Sequence, residues 1–136
     1  MQPFTEGSCT LYFGFPRPPL APGQKYCERT ISGLKPSVQA DGATLDEFSK
    51  LLRMVLGRPV IDKTGITGRF DLRVEFAREG TELAAIHLVG PPPASDPAGP
   101  PEIFTALQEQ LGLRLESGRG PVDTLVIDHI ERPSEN

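Results

Sequence analysis

A complete set of helix signals in segment 44–57 limits the fold of this chain more than any other feature of its sequence. Thr44 is followed three residues later by Glu47, a spacing at which each side chain accepts a hydrogen bond from the other residue's backbone N–H at a helix start. Gly57 suits the left-handed position that commonly ends a helix, and Pro59 prevents its continuation. The apolar residues between these ends fall on one stripe: Leu45, Phe48, Leu51, Leu52, Val55 and Leu56. A helix with one apolar stripe must pack against a second layer of structure.

Strand patterns occur on both sides of this helix. They cover residues 37–44, Val60 with Ile61, and 70–76. The first predicted strand ends at a turn on Asp41 and Gly42. The last alternates apolar and charged side chains, which is typical of a strand with one buried face. The helix and the two strands that follow it are therefore predicted to form a unit at residues 44–76, with segment 62–68 as its loop.

A second helix-strand-strand unit is predicted for residues 101–130. Pro101 suits the first helical turn, where its missing N–H costs nothing, and Gly112 ends the helix. The apolar stripe of this helix consists of Ile103, Phe104, Leu107 and Leu111. The strands that follow are predicted at 113–115 and 122–130.

A shift of 55 residues places the second unit on the first. The coinciding apolar or glycine pairs are Phe48 with Ile103, Leu52 with Leu107, Leu56 with Leu111, Gly57 with Gly112, Val60 with Leu115, Phe70 with Leu125 and Leu72 with Ile127. Internal duplication explains this register, and chance similarity between two helix-hairpin units is the alternative. A proline-rich loop at 90–101 joins the units, and a brief strand is predicted at 83–89. The predicted fold class is α+β, with two helices packed on an antiparallel or mixed sheet and the helix-strand-strand unit duplicated within a domain at 37–136.

Residues 1–36 predict an irregular arm rich in proline, glycine and aromatic side chains, with at most a short strand at 10–15. Cys9 and Cys27 lie 18 positions apart in this arm. A disulfide that closed this loop would stabilise the fold by about 3 kcal/mol and would indicate an oxidising compartment. The alternative is a pair of unrelated buried thiols. A zinc site is disfavoured because two cysteines without nearby partner ligands cannot complete a tetrahedral set.

Length, hydropathy and charge exclude several classes of protein. The 136 residues match the size of one domain. The sequence has no apolar run near the roughly 20 residues of a membrane-spanning helix. The net charge is -4 and the lysines and arginines are scattered along the chain, so nucleic acid is not a predicted partner. The first residues lack the pattern of a secretory signal, which taken alone indicates the cytoplasm.

The sequence predicts no catalytic residue, cofactor site or metal site. The candidate acids are Asp62, Asp71, Glu75, Asp123 and Asp128. The two histidines are His87 and His129, and Asp128 cannot orient His129 because neighbours in a strand point to opposite faces. The glycines in segments 65–68 and 117–120 do not have the spacing of a phosphate-binding loop. No nucleophile motif or CxxC motif is present in the sequence.

Three stretches, 57–72, 104–116 and 126–136 with its terminal Pro-Ser-Glu-Asn, resemble a family of uncharacterised paralogous proteins expanded in soil Acidobacteria. The resemblance covers residues 44–136. It implies that the chain is the carboxy-terminal part of a longer exported precursor, in the periplasm or secreted, and it carries no activity or site residue with it. More distantly, a helix that ends in Leu-Gly and is followed by a hairpin, used twice, is similar to the short periplasmic domain of secretins and TonB-dependent receptors, which binds partner proteins.

These observations favour a non-enzymatic extracytoplasmic domain that binds an unidentified protein partner through an uncovered sheet edge. One alternative is a hydrolase or small-ligand domain that uses carboxylates such as Asp62 and Asp71. The other alternative is a sensory or regulatory domain attached to a membrane peptidase. The resemblance implies this role, because some relatives of that family are domains of this kind.

Overall fold

The computed structural model describes residues 1–84 and 98–119 of the chain. Its strands are β1 (Gln2–Pro3), β2 (Arg29–Ser32), β3 (Ser37–Ala43) and β4 (Phe70–Glu75). Its helices are α1 (Leu45–Leu56) and α2 (Ile103–Ala106), the latter extended by a π-helical turn at Leu107–Leu111, and a 3-10 turn lies at Glu82–Ala84. The strands form one sheet in the order β1-β4-β3-β2, and every neighbouring pair is antiparallel. The predicted α+β class is therefore confirmed.

Both predicted ends of α1 are confirmed. The Glu47 N–H donates to Thr44 Oγ1 at 3.2 Å, and the Thr44 N–H donates to Glu47 Oε2 at 2.9 Å. Gly57 ends the helix with a φ of 64°, in the left-handed region that glycine adopts without strain. Local sequence thus sets the length of α1.

The hydrophobic core lies between the helices and one face of the sheet. Alternate residues of β3 and β4 supply the sheet side, and the apolar stripes of α1 and α2 supply the other. The most deeply buried large side chains are Phe48, Phe76, Leu72, Ile103, Leu107, Val38, Val55 and Val74. Phe104, predicted in the stripe of α2, is instead 50% exposed, and Ala106 is buried. The reason is helical geometry, because residues three and four positions from Ile103 share its face and the next residue does not.

The predicted turn on Asp41 and Gly42 is wrong, because β3 continues to Ala43 through an irregularity in its pairing with β4. Gly42 has a φ of 58°, and a β-carbon at this position would lie 3.0 Å from the nearest atom of the Phe4 ring, a tight contact. Only glycine meets both conditions without strain. The extra backbone bend carries the chain directly from the strand into α1.

The duplicated helix-strand-strand unit is not found in the described residues. Val60 and Ile61 form no strand, and β4 pairs instead with β3 and, at its first two residues, with β1. Leu113 and Leu115 also form no strand, although both pack against the core. The second unit's strand at 122–130, most of the 83–89 strand and residues 90–97 of the proline-rich loop lie outside the described residues.

The segment predicted as an irregular arm supplies two of the four strands. β1 pairs with β4, and β2 pairs with β3. Between them, residue 10 forms only an isolated bridge to Tyr26. Short strands of two and four residues carry too little periodicity to be recognised from sequence.

Candidate binding surface

Within residues 1–84 and 98–119, β2 is the last strand at one side of the sheet, and its outer edge is unpaired. The Asp41 N–H donates to Glu28 O at 2.8 Å, and the Glu28 N–H donates to Asp41 Oδ2 at 3.2 Å, so the Glu28 main chain faces β3. Antiparallel strands alternate between bonded and non-bonded pairs, which directs the Thr30 main chain toward β3 and the main chains of Arg29 and Ile31 away from it. In the described part of the chain no strand lies beyond β2 at these positions. They can accept a strand from another molecule.

The opposite edge of β4 is occupied at its two ends. β1 pairs with the start of β4, and the side chain of Gln110 binds its end. The Gln110 Nε2 donates to Glu75 O at 2.7 Å, and the Glu75 N–H donates to Gln110 Oε1 at 3.0 Å. An amide side chain here takes the place of a neighbouring strand. The two edges therefore differ in their capacity to bind a partner.

A segment closed by a disulfide, residues 9–27, lies beside the outer edge of β2 and is hereafter called the aromatic loop. A disulfide joins Cys9 to Cys27. The Thr10 N–H donates to Lys25 O at 2.8 Å, and the Cys27 N–H donates to Thr10 O at 3.0 Å. Thr10 consequently occupies a strand position parallel to the chain just before β2.

The aromatic loop presents three rings to solvent. Tyr12 is 38% exposed, Phe13 67% and Phe15 96%. The Tyr12 hydroxyl donates to Pro16 O at 3.2 Å, and the Tyr26 hydroxyl donates to Pro18 O, so internal hydrogen bonds hold the loop's shape. Exposed aromatic side chains on a constrained segment are typical of protein interfaces, where large rings bury much area at little entropic cost.

Two arginines stack on aromatic rings of the loop and border a cleft. The Arg29 guanidinium lies 4.5 Å from the centre of the Phe13 ring, and that of Arg17 lies 5.1 Å from the centre of the Tyr26 ring. The cleft between the loop and the start of β2 has a volume of about 220 Å³. Its lining consists of Tyr12, Phe13, Gly14, Arg17, Cys27 and Arg29.

Glu47 connects Arg29 at the cleft to the start of α1. Its Oε2 lies 3.1 Å from Arg29 and 3.2 Å from Arg69, and the side chain is 25% exposed. Burial of the carboxylate raises its pKa, but the hydrogen bonds from Thr44 and Arg29 and the charges of Arg29 and Arg69 outweigh burial, so the pKa of Glu47 lies below its usual value. Arg69 also donates to Gly42 O at 2.6 Å. One carboxylate thus connects α1, β2 and the bend in β3.

We expect Glu47→Gln to lower the free energy of unfolding by about 0.5–1.5 kcal/mol at neutral pH, because glutamine still caps α1 but loses both ion pairs. The folded-state pKa lies below the ordinary 4.5, so the carboxylate stabilises the fold above that value, and its contribution is lost as pH falls through the folded-state pKa. Urea unfolding of both proteins across this range measures the difference. Glu109→Gln, an exposed change on the π-helical turn, is the control. A difference that stays constant down to strongly acidic pH would contradict the assignment.

Each described candidate acid has a hydrogen-bond or ion-pair partner. Asp62 Oδ1 accepts hydrogen bonds from the N–H and hydroxyl of Thr64, Asp71 Oδ1 accepts from the Gly42 N–H, and Glu75 pairs with Arg73 at 2.8 Å. The structure does not bring these acids together. Residues 1–84 and 98–119 contain no group of three or more His, Cys, Asp or Glu side chains suited to a metal ion. Asp123, Asp128, His87 and His129 lie outside the described residues.

A larger depression of about 490 Å³ lies on the other side of Cys9. It is lined by Phe4, Glu6, Gly7, Cys9, Leu11 and Arg69. Its arginine is neutralised by Glu47 and bonded to the β3 main chain. The smaller cleft is the better candidate, since Arg17 forms no ion pair within the described ranges.

The sequence predictions missed the arginines of the cleft, although a signal for them exists. Segment 7–27 contains the basic residues Arg17 and Lys25, four aromatic residues and no acid, in a chain whose net charge is -4. A local excess of positive charge attracts anionic groups. The position of Arg29 on the sheet edge requires the strand pairing and is not evident from sequence.

Comparison with known proteins identifies one family. A family model described as "Protein of unknown function (DUF3738)" matches residues 16–130. No curated protein and no solved structure matches the chain. Among the described residues, no helix is both long and apolar enough to cross a bilayer.

Proposed function

Because this chain belongs to the family of proteins of unknown function DUF3738, we propose its role from its own geometry: it is a non-enzymatic extracytoplasmic domain that binds a partner protein along the outer edge of β2. The observation that carries the proposal is the outward direction of the Arg29 and Ile31 main chains next to the exposed rings of the aromatic loop. A partner strand gains main-chain hydrogen bonds from such an edge, and the rings supply apolar contact.

The disulfide supports the extracytoplasmic location. A bond between Cys9 and Cys27 persists in oxidising compartments and is rare in the cytoplasm. The resemblance of segments 57–72 and 104–116 to a family of exported proteins supports the same location. Fractionation of the native organism tests it, and recovery of the protein in the cytoplasmic fraction alone would refute it.

The positions of the described acids support a role without catalysis. Asp62 binds the backbone of the loop that follows α1, Asp71 binds the backbone of β3 at its bend, and Glu75 pairs with a neighbour on its own strand. A general acid and base must converge on one reacting group. These side chains instead stabilise turns and the sheet surface.

We expect Ile31→Pro to reduce partner binding several-fold relative to Ile31→Ala. Proline removes the outward N–H and keeps the bonds of β2 to β3, since it is tolerated on an edge where the N–H faces solvent. Both variants lose the partly buried side chain, so their comparison isolates the N–H. The measurement is quantitative mass spectrometry of envelope proteins retained on each immobilised variant.

Thermal unfolding of the two variants provides the control, and their midpoints should agree closely. Equal retention by the proline and alanine variants would show that the edge is not used. Failure of the wild-type chain to retain any envelope protein would overturn the proposed function itself.

A further inference from the structure

We infer that the partner presents its free carboxyl terminus, with the terminal carboxylate bound between Arg17 and Arg29 in the cleft of the aromatic loop. This inference rests on the proposed function, because it requires a partner strand along β2. It adds the chemistry of the partner, the direction of its strand and the point at which that strand ends.

The aromatic loop blocks one end of the open edge. Thr10 holds the strand position beside Lys25 and Cys27 through two main-chain hydrogen bonds. The pairing ends at Thr10, which forms an isolated bridge, and the cleft lies between the following loop residues and Arg29. A strand that enters beside Ile31 must therefore stop at the cleft.

The direction of the partner strand follows from charge. An antiparallel partner, like every neighbouring pair in this sheet, places its carboxyl end beside Arg29. A parallel partner would place its amino end there, and a free ammonium group would be repelled by two guanidinium groups. The antiparallel direction is thus the one that the cleft accepts.

The two arginines have bonding capacity for a carboxylate. Arg17 has no ion pair in the part of the chain that the structure describes. Arg29 uses Nη2 to bind Glu47, which leaves other donors of its planar group. Arginine favours carboxylates because its donors match their geometry. The carboxylate balances the excess positive charge of segment 7–27.

The cleft also limits the terminal residue. About 220 Å³ is less than a typical small-molecule site and accommodates the end of a peptide. The Tyr12 and Phe13 rings form apolar walls. We expect a preference for an apolar terminal side chain, since its burial against these rings adds favourable transfer free energy.

Two pools of short fluorescent peptides, randomised at their last positions, test the inference with the full chain. One pool has free carboxyl ends and the other has carboxamide ends. We expect the wild-type chain to retain the acid pool at least about tenfold more than the amide pool. Arg17→Gln should remove this preference, and Arg53→Gln, an exposed change on α1, should keep it. Arg17 is also exposed, so its variant should unfold at the wild-type temperature.

The outcomes separate this inference from the proposed function. Equal retention of both pools, with both lost in Ile31→Pro, overturns the carboxylate site and leaves edge binding intact. An acid preference that survives Arg17→Gln also overturns it. Retention of neither pool overturns it as well, and the capture of envelope proteins by the Ile31 variants then decides the proposed function separately.

Discussion

Replacement of Phe48 by alanine is expected to lower the free energy of unfolding by about 3–5 kcal/mol. The Phe48 side chain is 1% exposed and belongs to the cluster that joins α1 to the sheet. Truncation removes apolar contact and leaves a cavity that close-packed neighbours fill only in part. Because a domain of this size has a total stability of about 5–15 kcal/mol, much of the chain should unfold on mild heating. Urea unfolding followed by circular dichroism measures the change.

The matched control is Met54→Ala on the same helix. Met54 is 67% exposed, so its truncation should change stability by no more than about 0.5 kcal/mol. Similar losses for the two variants would mean that α1 does not present the predicted stripe to the core.

The second large effect is expected at the disulfide. The double variant Cys9→Ser with Cys27→Ser should lose about 3 kcal/mol of unfolding free energy, because the unfolded chain regains the entropy of an open loop. The two cysteines are 18 positions apart. The loop that they close contains every residue that lines the cleft except Arg29. Partner retention should therefore fall together with stability. Thermal unfolding and the envelope capture assay report the two losses.

Reduction of the wild-type chain should reproduce the loss seen in the double variant, and reductant should have no effect on that variant. Thiol titration of the denatured, unreduced wild-type chain should find no free thiol. Two free thiols would refute the disulfide, and the oxidising location that rests on it.

Arg29 belongs both to the binding surface and to the contacts that stabilise the fold, so its mutation affects both. Arg29 contacts both the Phe13 ring and the Glu47 carboxylate. Its replacement would disturb the helix start together with the cleft. Among the described residues Arg17 stacks on the Tyr26 ring and forms no ion pair, so its replacement separates recognition from stability.

The helix start shows how far sequence reasoning reaches into the candidate site. The spacing of Thr44 and Glu47 predicts the capping hydrogen bonds, because both partners lie within one helical turn. The ion pairs of the same carboxylate with Arg29 and Arg69 join residues 18 and 22 positions away. Such contacts depend on how β2 and the bend in β3 pack beside the helix, and no local pattern predicts them.

The strands show a similar division. The alternation of residues 70–76 predicts β4 because one of its faces is buried and the other is exposed. The open edge depends on which short strand stands last in the order β1-β4-β3-β2. β1 and β2 are too short for their periodicity to reveal this.

The sequence by itself determined the α+β class, the limits of α1, the glycine ends of both helices and the strand β4, since each depends on contacts within a few residues. Tertiary structure decided that β2 stands last in the sheet of the described residues, that Gly42 bends β3 instead of ending it, and that Val60 and Ile61 lie outside that sheet. It also placed Arg17 and Arg29 on either side of one cleft. Hydrogen bonds between distant strands and the packing of the stapled loop control these features, and their energies depend on residues that lie far apart in the chain.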